Sequence, residues 1–68
     1  MPDLPAWAAA VVEEIDVDQD AHTATAQCSR AIFDNASRAI RYASSSDADS
    51  VTVYDRDGMI IYPEEARV

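Results

Sequence analysis

The residues that could hold a metal or move a proton are few. Asp16, Asp18 and Asp20 stand at alternate positions, the spacing of the first three calcium ligands in an EF-hand loop. The rest of that loop is missing. Ala21 occupies the place of the turn glycine and Gln27 that of the bidentate glutamate. The triplet therefore reads as a solvated acidic turn, and no metal site is assigned. His22 and Cys28 are the single histidine and the single cysteine. His22 has no second ligand at a useful spacing and reads as an exposed loop residue. Arg30 lies close enough in sequence to lower the Cys28 thiol pKa, but the plainer reading is a small buried hydrophobe in a strand. No oxyanion donor or third group accompanies the pair. The expectation is a protein that is not an enzyme, with no catalytic residue and no cofactor.

Charge is the stronger signal. The chain has 68 residues, with 13 acidic and 5 basic side chains and a formal net charge of −8. All positive charge is arginine, a bias that fits a GC-rich genome or a high-salt proteome. The acids flank the middle of the chain. Asp3, Glu13, Glu14, Asp16, Asp18 and Asp20 precede it, and Asp47, Asp49, Asp55, Asp57, Glu64 and Glu65 follow. Between them Arg30, Arg38 and Arg41 outweigh Asp34. This balance argues against direct contact with nucleic acid, whose phosphates attract Lys and Arg. Two readings stay open. An acidic face can compete for the basic groove of a partner, where complementary fields speed association. Alternatively, the acidity only keeps a small protein dispersed or tolerant of salt.

Those groups must be positioned by one small domain spanning 1–68, since a chain of this length buries only about 60% of its unfolded surface. No apolar run approaches the ~20 residues that cross a bilayer. The longest, Ala6 to Val12, follows no basic start of the kind a secretory signal has. A cytoplasmic protein without membrane contact is the expectation.

An alanine-rich stretch follows Pro5, with Trp7, Val11 and Ile15 at a spacing of four. It predicts a helix over residues 5–15, although Val11-Val12 and Ile15 to Asp18 also suit a strand. On either reading Trp7 is expected in the core. Asp16 to His22 then forms a connector, and a strand is expected within Thr23 to Phe33. Asp34 or Asn35 can cap a helix whose apolar stripe is Ala36, Ala39, Ile40 and Ala43. Val51 to Tyr54 and Met59 to Tyr62 predict a hairpin turning at Asp55-Arg56-Asp57-Gly58, with Gly58 supplying a positive φ and Pro63 ending the second strand. The fold class expected is α+β: a small antiparallel sheet crossed by one central helix, with a C-terminal hairpin and an additional N-terminal helix.

The run of Phe33-Asp34, then Ala39-Ile40 and Tyr42-Ala43, then Val51 to Asp55 and Asp57 to Ile60 resembles two groups of small proteins. One is a class of short bacterial strand–helix–hairpin domains of unknown function; the other is small phage-encoded anti-CRISPR proteins. The second resemblance implies an inhibitor that blocks a basic, nucleic-acid-binding surface of a protein or ribonucleoprotein target by steric and electrostatic mimicry. The partner-binding residues expected are Glu13, Glu14, Asp16, Asp18, Asp20, Asp55 and Asp57. Arg38, Arg41 and Tyr42 form a second patch, since exposed Tyr and Arg anchor interfaces. The alternative is an acidic homodimeric structural domain, paired through a sheet edge or through helix faces.

Overall fold

A computed structural model describes residues 4–19 and 22–63 of the chain. The elements are β1 (Ala10–Gln19), β2 (Ala24–Phe33), α1 (Ala36–Ser44), β3 (Ser50–Asp55) and β4 (Ile60–Tyr62). They form a four-stranded sheet in the order β2-β1-β3-β4, antiparallel at every pairing. The α+β class, the central helix and the C-terminal hairpin are as the sequence predicts.

The predicted N-terminal helix is not there. Residues 5–9 make a turn and an irregular segment, and residues 10–19 are strand. The spacing of four that suggested a helix is also a multiple of two, so Val11 and Ile15 share one strand face equally well. Tertiary pairing then decides. β1 is an inner strand with a ladder on each side, and its β-branched residues suit a pleated surface. This also explains the adjacent Val11 and Val12, which are both buried. One points to each face, and both faces of the sheet's middle are covered at that level.

On one face, Ala10, Val12 and Val53 pack with Ala39 and Ala43 of α1. Phe33, Ile40, Val51 and Tyr62 close the margin of this core. The alanines let the helix approach the strands closely, and each buried valine contributes roughly 1.5–3 kcal/mol. Asn35 caps α1, its side-chain oxygen accepting from the Arg38 N–H at 3.1 Å. At the hairpin, Gly58 has φ 86°, as the turn requires.

The β1–β2 register runs without interruption from Ala10↔Phe33 to Gln19↔Ala24. β3 accompanies β1 only as far as Ile15↔Ser50. Asp16–Gln19 and their partners Ala24–Gln27 therefore extend past the sheet as a two-stranded arm. The molecule is correspondingly elongated, at 43 × 25 × 22 Å. The acidic connector expected to start at Asp16 is strand as far as Gln19.

Candidate binding surface

Asp16 and Asp18 are exposed on the arm. They are two residues apart on a strand, so they share a face at roughly 6.6 Å spacing. Asp49, from the segment between α1 and β3, reaches the same place. Its Oδ2 accepts the Val17 N–H at 2.6 Å, which brings it to the strand position between the two aspartates. Asp47, also exposed, belongs to the same segment. The structure thus gathers Asp16, Asp18 and Asp49 at the root of the arm, from parts of the chain more than thirty residues apart. Asp20 lies outside the described residues. Asp49 was missed as a site residue because proximity across the sheet has no mark in linear spacing.

The other predicted carboxylates, Asp57 apart, are engaged within the fold. Glu13 accepts from Arg30 at 3.3 Å on the face away from α1. Glu14 lies on the helix side, where it accepts from the Tyr42 hydroxyl at 2.8 Å and from the Ser46 hydroxyl at 2.7 Å. These bonds hold the Glu14 carboxyl below its ordinary range, Ser46 contributing most, and raise the Tyr42 phenol above its own. Asp55 braces its own turn, with Oδ1 accepting the N–H groups of Asp57 and Met59, each at 2.9 Å. Asp57 is exposed at the tip of that turn, remote in sequence and in the sheet from the arm.

The predicted second patch is partly assembled. Arg38 forms an exposed pair with Asp34 at 3.4 Å, and both line an open cleft of about 340 Å³ with Trp7, Ile32 and Phe33. Trp7 is 59% exposed, which corrects its expected place in the core: it lies in the turn before β1, outside the sheet. Tyr42 stays 44% exposed while its ring meets Phe33 at 5.4 Å between centroids. Arg41 is exposed on α1. Cys28 is likewise exposed, not buried as expected, because on the outer strand β2 it sits opposite Ile15 and so shares with Arg30 the face away from α1. Among the described residues, no group of three or more His, Cys, Asp or Glu is arranged to hold a metal ion.

Comparison of the chain with protein-family models, with curated proteins and with solved structures gives no match. The surface itself must carry the functional reading. Among the described residues, no helix is long and apolar enough to cross a membrane.

Proposed function

We propose that the chain is a small non-catalytic binding protein that offers the carboxylates at the root of the β1–β2 arm to a cationic surface on a protein or ribonucleoprotein partner. The observation that supports this is the convergence of Asp16, Asp18 and Asp49 on one projecting element. Charges that only disperse a protein have no need to converge. Focused on an arm, they raise the local potential, steer encounter and fix orientation. In its narrower form the proposal is an inhibitor that fills a groove made for nucleic acid, acting by occupancy and without turnover.

The test separates the arm from net charge. Binding is measured first to an immobilised arginine-rich peptide and then to partners captured from cells, across a salt series. The variant Asp16→Asn/Asp18→Asn/Asp49→Asn is expected to weaken binding at least tenfold at low salt and to flatten the salt dependence. Neutralising Glu13, Asp34 and Asp57 instead, all outside the arm and the segment that carries Asp49, removes the same formal charge and is expected to change affinity less than threefold. Equal losses from the two variants, or affinity indifferent to salt, would sink the proposal.

A further inference from the structure

The two edges of the sheet are unlike. β4 is guarded: it is three residues long, its pairing with β3 shifts register at Val53/Tyr54, and Pro63 follows it. β2 has none of these protections. It is ten residues long, pairs with β1 without a bulge, contains neither proline nor glycine, and carries a single charge, Arg30. Every residue from Ala24 to Arg30 is exposed. Proteins that stay single blunt such an edge with charge, proline, a bulge or a cover.

The direction of the backbone groups can be read from one bond. The Val17 N–H turns away from β2 to meet Asp49, so Val17 and Ala26 are a non-hydrogen-bonded pair of the antiparallel ladder. By alternation, Ala24, Ala26, Cys28, Arg30 and Ile32 aim their N–H and C=O groups outward, away from β1.

We propose that β2 is a dimerisation edge, pairing antiparallel with β2 of a second copy about a twofold axis at Cys28. Two four-stranded sheets then become one of eight. Three observations select a second copy as the occupant. Such an axis, perpendicular to the sheet, sets residues of the same face opposite each other. With Cys28 on it, Ala24 faces Ile32, Ala26 faces Arg30, Thr25 faces Ala31 and Gln27 faces Ser29. Small residues meet large ones, and no like charges are opposed, so the strand is complementary to itself. Secondly, the arm needs support, because a two-stranded ribbon is marginally stable in water. In this dimer each arm's Ala24–Gln27 lies along the partner's half of β2 that borders the sheet body, so the ribbon gains strands where its own β3 stops. Thirdly, the core cluster of one copy contains only alanine and valine among its fully buried residues, and a small core gains from a second copy. The acids of the arm root lie on β1 and beyond it, leaving them uncovered. The inference is independent of the acidic-arm reading.

Sedimentation equilibrium of the full chain is expected to give about twice the monomer mass of 7.4 kDa. Ala26→Pro removes an outward N–H while sparing the bonds to β1, and is expected to sediment as a monomer with an unchanged far-ultraviolet dichroism spectrum. Cys28→Lys opposes two like charges on the axis and is expected to do the same, so the test survives if the proline variant fails to fold. Mild oxidation of the wild type is expected to trap a covalent dimer through Cys28. A wild-type chain that remains at 7.4 kDa up to its highest soluble concentration overturns the proposal. So does a dimer that persists in a folded variant, or an edge that protects its amides only when a foreign extended peptide is added.

Discussion

Tyr42 is the residue on which helix and sheet meet by polar contact. Its hydroxyl donates to Glu14, which also accepts from Ser46, so one carboxylate ties the end of α1 and the following segment to β1. The pH consequence has a definite sign. Glu14 is lowered in the folded state, so its contribution is complete above the ordinary carboxylate range and fades as pH falls through the lowered value. Tyr42 is raised, so its contribution is complete below the ordinary phenol value near 10 and is lost as pH rises through the raised one. Melting temperature followed against pH is expected to fall at both limits. Tyr42→Phe should reduce the difference between neutral and alkaline stability, and Glu14→Gln the difference between neutral and acid. Identical profiles for wild type and Tyr42→Phe would show that the contact has no energetic weight. The sequence revealed Tyr42 as a residue off the apolar stripe of its helix, but its partner stands 28 positions earlier. Trp7 was misplaced for a related reason: residue type announces burial only where another element arrives to cover it.

At the scale of elements, local chemistry was legible where it was self-contained. The α1 stripe, its cap and the hairpin at Gly58 all depend on neighbours within a few residues, and each was readable. Asn35 proves to be the cap in place of Asp34, whose carboxylate pairs with Arg38. Asn35→Ala is expected to cost about 1 kcal/mol, measured by urea denaturation with the m-value unchanged; a loss below a few tenths would place the cap's role elsewhere. β1 was not legible in this way. Alanine propensity and a spacing of four favoured helix, and only the arrival of β2 on one side and β3 on the other makes extended backbone the better solution. The carboxylate cluster has the same origin, since Asp49 joins Asp16 and Asp18 only through the pairing of β1 with β3.

For the molecule as a whole, a net charge of −8 on 68 residues opposes compaction. Among the described residues the exposed ion pairs Arg30–Glu13 and Arg38–Asp34 are worth little, as surface pairs contribute about 0–1 kcal/mol. Screening should therefore stabilise the fold. Melting temperature is expected to rise by several degrees as sodium chloride increases from roughly 0.01 M to 1 M, over which the Debye length shrinks from about 30 to 3 Å. A fall over that range would mean that attraction between charges outweighs repulsion.

The strand order also constrains how the molecule is made. β1 comes first in the chain yet lies inside the sheet, and its second neighbour arrives only with Ile15↔Ser50 and Ala10↔Asp55. During synthesis the β1–β2 hairpin and α1 emerge early, but Val12 gains Val53 beside it only once β3 has left the ribosome. The nascent chain must hold an inner strand with one flank bare until then, so completion of the core is a late, long-range event.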